Sequence, residues 1–202
     1  MKKILSLLLS LSLLLTCCAA LAEEAEEVGE PDGLPAYVYE GDDPIEGAIM
    51  TYLAADDRSD DYLTESGCVN IPCAVILKTD KPDDTHVTVY GDFWILNYVA
   101  NGQTLECISG GEYPGIITLE LVNGEWEVTG MEEAGDGEDY VADIQRFANG
   151  DAELEQQYYA ASDMLAEPSL SARTRFIKQY VATSGLDITA YKDEGWDPVP
   201  LN

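Results

Sequence analysis

A single histidine, His86, stands in 202 residues, and only 10 lysines and arginines accompany 39 aspartates and glutamates. One imidazole is too few for the usual histidine-rich zinc sites, and it leaves nucleophilic catalysis with one classical base. The shortage of positive charge excludes polyanionic partners. A formal net charge of −29 repels nucleic acid and anionic membrane surfaces. The apolar run at the start of the chain falls short of the roughly 20 residues that a stable membrane-spanning helix needs. Cysteine is sparse as well, at five residues.

What is present begins with an export signal. "MKKILSLLLSLSLLLTCCAALA" has a basic start at Lys2 and Lys3, a leucine-rich stretch from Ile4 to Leu15, and Ala20-Leu21-Ala22 before Glu23. That is the pattern of a cleaved signal peptide over residues 1–22. The rival reading is lipidation at Cys17 or Cys18, but Thr16 precedes Cys17 where lipoprotein signals carry a small residue. Either route places the mature chain outside the cytoplasm, secreted or at the cell envelope. Cleavage removes two lysines and no acid, so the charge becomes more negative still. Such charge favours solubility and can attract cations or a basic cell-wall component.

Residues 23–43 hold nine acids with proline and glycine, too polar to bury a core, and read as a flexible spacer in which only "AYVY" can dock. Residues 44–136 follow as an α+β unit and 137–202 as a helical C-terminal extension of the same domain. Asp42 or Asp43 caps a helix that begins at Pro44, with Ile45, Ile49, Tyr52 and Leu53 on one face. Then come about four antiparallel strands, with Asn101-Gly102 and Asn123-Gly124 as hairpin turns. The strand through Val87–Val99 is apolar on both faces. One face has helices to cover it, and the other calls for a second copy of the chain, so a homodimer through the aromatic sheet face is expected. Three helices are expected after Gly137. The tail offers Leu186, Ile188, Tyr191 and Trp196 as packing anchors, with Trp196 clamped by prolines.

The candidate sites are few. Cys68, Cys73 and Cys107 remain after cleavage, and an oxidising compartment makes a cross-strand bridge to Cys107 plausible with one thiol left over. "DDRSDD" (Asp56, Asp57, Asp60, Asp61) and "GDGED" (Asp136, Glu138, Asp139) carry hard oxygens but lack calcium-loop spacing, and read as solvated loops. Arg173, Arg175, Lys178 and Lys192 suit ion pairing with the acidic excess better than anion binding. "ECISGGEYPG", Glu106–Gly115, has no lysine and no following helix, which excludes a phosphate cradle. It reads as a bulge or wide turn at Gly110-Gly111 that shapes the sheet, with Tyr113 at the rim of any pocket. No metal and no cofactor is expected.

Taken together, helix Ile45–Leu53, strand Val87–Val99 and the closing "GEWEV" strand Gly124–Val128 resemble the nuclear transport factor two-like (cystatin-like) α+β roll. The segments "IPCAVILKTD", "YGDFWILNY", "ISGGEYPG" and "YKDEGWDPV" are similar to exported proteins of Gram-positive gut bacteria. The resemblance implies a cone-shaped pocket between sheet and helix. Ketosteroid isomerases, which share that roll, use a carboxylate base with a tyrosine and a neutral aspartic acid as donors. By that resemblance Tyr90, Asp92 and Tyr98 become the catalytic candidates, with His86 at the strand start. Trp94, Tyr113 and Trp126 become the ligand-binding candidates. Aromatics on such a strand more often serve the core. The leading expectation is therefore a non-catalytic binding or interaction module for a small ligand or an envelope component. An acid/base enzyme and a purely structural domain are the alternatives.

Overall fold

The computed structural model of the chain describes residues 33–56 and 67–201. The expected signal peptide, the spacer up to residue 32, and Asp57, Asp60 and Asp61 of the first acidic loop lie outside the described residues.

Asp43 sets the start of the first helix, α1 (Pro44–Ala54). Its carboxylate accepts from the amides of Ile45 at 2.8 Å and Glu46 at 3.2 Å, two donors that the first turn leaves unpaired. Ile45, Ile49, Met50 and Leu53 are buried from this helix. The chain just before it, 34–39, lies along the fold. Tyr37 stacks on Tyr180, the Tyr180 hydroxyl donates to the Pro35 carbonyl at 2.8 Å, and the Tyr39 hydroxyl donates to Glu46 at 2.6 Å.

The strands are β1 (Val69–Asn70), β2 (Cys73–Asp80), β3 (His86–Asn101), β4 (Thr104–Val122), β5 (Glu125–Glu133), β6 (Ala190–Asp193) and β7 (Val199–Pro200). They form one mixed seven-stranded sheet, larger than the expected four strands. β3 and β4 are its spine, with β1 and β2 on the far edge of β3 and β5 and β6 on the far edge of β4. The extra strands come from the tail. β6 runs parallel to β4, pairing Leu105 with Tyr191 and Cys107 with Asp193, and β7 closes on β6. A parallel neighbour 86 positions away has no turn signal to announce it.

Between the sheet and the tail stand three helices, α2 (Glu138–Ala148), α3 (Ala152–Ala161) and α4 (Ser169–Ser184). Asn149 and Gly185 end α2 and α4 in the left-handed conformation, as stop signals at those positions should. α3 is shorter than its apolar spacing suggests: it stops at Ala161, and Leu165 beyond it is exposed.

Burial answers the apolar patterning of β3. Every residue from Gly91 to Tyr98 is buried. Val89, Phe93, Ile117 and Leu119 join the α1 residues and Phe176, Ile177 and Tyr180 of α4 in the main core. Tyr90 and Ile116 instead pack beside Ile144, Phe147 and Tyr158 of α2 and α3 in a second, smaller core. Both faces are thus accounted for within one copy of the chain. Trp196 departs from the expected clamp and is 60 % exposed. Tyr191, in strand register with Leu105, takes the buried role instead.

Candidate functional site

"ECISGGEYPG" is not a turn but the middle of β4, paired with β3 on both sides of one irregularity. The register shift falls at Ile108, between the pairs Asn97–Ser109 and Tyr98–Cys107. The glycines are there for close approach. A side chain at Gly110 would meet the Ile95 carbonyl oxygen and Leu96, and one at Gly115 would run into the backbone of Glu132 and Glu133. This register sets Glu112 opposite Trp94 and Pro114 opposite Asp92. Since alternate residues share a face, Asp92, Trp94 and Glu112 project together on the side that also carries Tyr90 and Ile116.

There Asp92 is completely buried, and neither of its carboxyl oxygens has a hydrogen-bond partner of normal geometry. The indole nitrogen of Trp94 and Oε1 of Glu112 lean on Asp92 and the Tyr140 hydroxyl of α2 leans on Ser162, each short of normal hydrogen-bond geometry. Burial, and then the neighbouring Glu112 charge, push the Asp92 carboxyl up to about 9. Burial also raises Glu112, and it raises the Tyr140 phenol, which feels Glu112 and Asp92 as well. At neutral pH Asp92 is therefore a neutral carboxylic acid that can donate a hydrogen bond. Glu112, Tyr113 and Tyr140 line a cavity of about 420 Å³, closed on its other side by Glu133, Ala134 and Asp136. The site thus lies between mid-β4 and the segment that leads from β5 into α2, with Asp92 buried outside its lining and in contact with Glu112.

The other candidates fall elsewhere. Tyr98 is buried further along β3, where its hydroxyl accepts from Nε of Arg173 at 2.7 Å. Tyr90 packs on the second core with Lys78 Nζ 5.3 Å from its ring centre. Tyr90, Asp92 and Tyr98 therefore do not converge on one pocket. His86 is exposed and bonded through Nδ1 to Asp83 at 2.9 Å. Six residues from Asp92, it stands about 20 Å away along an extended strand. Trp126 is half-buried on the opposite side of the sheet, in an open groove between α1 and β5 of about 590 Å³ with Tyr52 and Val128. Of the three ligand candidates, Tyr113 lines the Glu112 cavity, Trp94 stands behind it, and Trp126 is separate.

Arg173, Arg175 and Lys192 of the basic cluster are engaged in ion pairs. Arg173 grips Asp193 through both terminal nitrogens, at 2.8 and 2.6 Å. Arg175 pairs with Glu46 at 2.7 Å and Lys192 with Glu106 at 2.8 Å. Cys73 and Cys107 are free thiols. The bridge between them is excluded by register, because Cys73 faces Trp94 and Cys107 faces Tyr98. Four residues along β3 amount to about 13 Å, beyond the reach of a disulfide. Among the described residues no three metal-ligating side chains come together, and no described helix is long and apolar enough to cross a membrane.

The residue that the sequence left unmarked is Glu112. Its signal was only an acid between Gly111 and Tyr113, and nothing but the β3–β4 register brings it beside Asp92. No protein-family model matches the chain, and no curated protein or solved structure matches it either.

Proposed function

We propose that the chain is an exported, non-catalytic binding module that holds a small polar ligand in the Glu112–Tyr140 cavity. The observation that carries this reading is a cavity walled by Glu112 and Tyr140, each with a buried polar atom that has no hydrogen bond of normal geometry, and with Asp92 and Trp94 buried beside Glu112. Leaving such a group unsatisfied costs about 1–3 kcal/mol. A ligand whose donors and acceptors reach Glu112 and Tyr140 on the wall recovers part of that cost. A volume of about 420 Å³ lies within the roughly 300–1,000 Å³ of small-molecule sites. Export rests on the signal pattern of residues 1–22. A nuclear transport factor two-like roll is in keeping with the long β3–β4 hairpin packed on α1. The test is a screen of small polar fragments against the 15N-labelled protein, read at the Trp94 indole and the amides of 111–113. A full screen that leaves those resonances unmoved while shifting others would end this reading.

A second reading is acid/base catalysis, favoured by one observation: a carboxyl that holds its proton to about 9 beside a second carboxyl. Such a pair can supply both an acid and a base. In this form the machinery is Asp92 and Glu112, rather than Tyr90, Asp92 and Tyr98. Turnover of a bound ligand, abolished in both Asp92→Asn and Glu112→Gln, would establish it.

A further inference from the structure

β5 forms one border of the sheet. Among the described residues it pairs with β4 alone, so its other edge carries main-chain donors and acceptors with no strand against them. Gly124, Glu125, Trp126, Glu127 and Val128 line, in succession, the open groove of about 590 Å³ beside α1. Alternate residues of a strand point to opposite faces, so five in a row border one groove only where it runs along the strand's edge. Across the groove stand Ala48, Thr51 and Tyr52 of α1. Tyr52 is exposed, and so is Leu121, the cross-strand partner of Trp126. The regular edge ends at Val128, because Thr129 is the extra residue where the register with β4 shifts.

The two faces of this edge differ in chemistry. Trp126 and Val128 pack against the main core, while Glu125 and Glu127 are exposed on the other face. Neither of these glutamates has an ion-pair partner among the described residues. By contrast Glu120, opposite Glu127, lies 3.5 Å from His86, and Glu132 further along β5 is held by Arg146. Acids on an edge keep identical edges apart, since a second copy of β5 would bring like charges together. The same acids favour a strand of opposite charge.

We infer that this edge receives an extended segment of another protein, with basic side chains alternating with apolar ones, which adds as a further strand beside β5. Its main chain bonds the open edge, as in other cases of strand addition. Its apolar side chains enter the groove against Trp126, Val128 and Tyr52, and its lysines or arginines lie beside Glu125 and Glu127. The regular edge, Glu125–Val128, spans about 13 Å and fits about four or five residues of such a segment. This surface lies across the sheet from the Glu112 cavity and is independent of any ligand there.

The experiment titrates the 15N-labelled full chain with three end-blocked hexapeptides. One alternates lysine and valine, one alternates glutamate and valine, and the third is the lysine peptide with its two central amides N-methylated. The lysine–valine peptide is expected to shift the amides of 125–128 and to bind about tenfold tighter, or more, than either of the others. Its affinity is expected to fall as salt rises. In a Glu125→Lys, Glu127→Lys chain the preference should reverse towards the glutamate–valine peptide. Both positions are exposed, so that chain is expected to fold. Equal binding of the two charged peptides, or a preference that does not reverse, would overturn the assigned chemistry. Undiminished binding of the methylated peptide would overturn strand addition. No response to millimolar lysine–valine peptide would overturn the surface altogether. Shifts of the same amides with protein concentration alone would give the edge to a second copy and overturn the proposal likewise.

Discussion

Arg173 donates its Nε to the hydroxyl of Tyr98, 75 residues earlier in the chain, at 2.7 Å, and both side chains are buried. The same guanidinium holds Asp193 with two further bonds. One side chain thus ties α4 to mid-β3 and to the parallel strand β6. Its stem and head are desolvated, so its worth is asymmetric. Removing one partner leaves the others buried and unpaired, and that is costlier than the pair's net contribution.

Replacing Arg173 by Met keeps the volume and removes the charge. A loss of about 3 kcal/mol or more is expected in urea unfolding, as for other broken buried pairs. Arg173→Lys should recover only part of it, since an ammonium cannot reproduce the fork. A loss below about 1 kcal/mol for Met would mean that the pair is effectively solvated.

Asp92 sets a pH dependence whose sign can be worked out. Its folded value of about 9 lies above the ordinary aspartate range, so between about pH 4 and 9 the folded state binds more protons than the unfolded. Stability should therefore fall as pH rises through that window, by up to about 1.4 kcal/mol per pH unit from this group. Asp92→Asn, neutral at every pH, should flatten that fall. Melting curves at pH 4, 6 and 8 would show the wild type and the variant diverging as pH rises. Parallel curves would mean that Asp92 titrates normally.

Cys73 is 2 % exposed, and burial pushes its thiol up to about 12. Only the thiolate reacts quickly, so this thiol is both shielded and protonated. Alkylation of native protein at pH 8, resolved by peptide mass analysis, should modify Cys73 at least a hundredfold more slowly than in urea. Comparable rates would contradict its place in the core.

At Gly115 a methyl group would collide with the carbonyl of Glu132, which is strand backbone and cannot swing aside. The Gly115 carbonyl also accepts the Tyr158 hydroxyl at 2.7 Å, tying α3 to the sheet. Gly115→Ala is expected to destabilise by about 1–3 kcal/mol, the range for overpacking. An unchanged urea midpoint would show that β4 and β5 can separate there without cost.

The parts legible in the sequence are those governed by local chemistry. Asp43 and Pro44 fix where α1 starts, Asn123-Gly124 turns β4 into β5, and Gly185 ends α4. Local chemistry also explains the misreading of Gly110-Gly111 and Pro114. Alone they favour a turn, but sixteen paired positions between β3 and β4 override that preference. The tail was opaque for a related reason. Tyr191 becomes a strand residue only because Leu105 offers it a parallel edge. For the site, Asp92 was visible as an acid on a buried strand. Glu112 was not, because a partnership across strands depends on register, and one residue of slippage would put it on the other face.

The most direct measurement is the titration of the Asp92 side-chain carboxyl carbon by 13C NMR on the full chain. A midpoint near 9, with a smaller response of Glu112 in the same titration, is the result expected for a protonated buried pair beside the cavity. A midpoint below about 5, in the ordinary aspartate range, would mean that Asp92 is solvated and ionised at neutral pH. The protonated Asp92–Glu112 pair beside the cavity could not then stand.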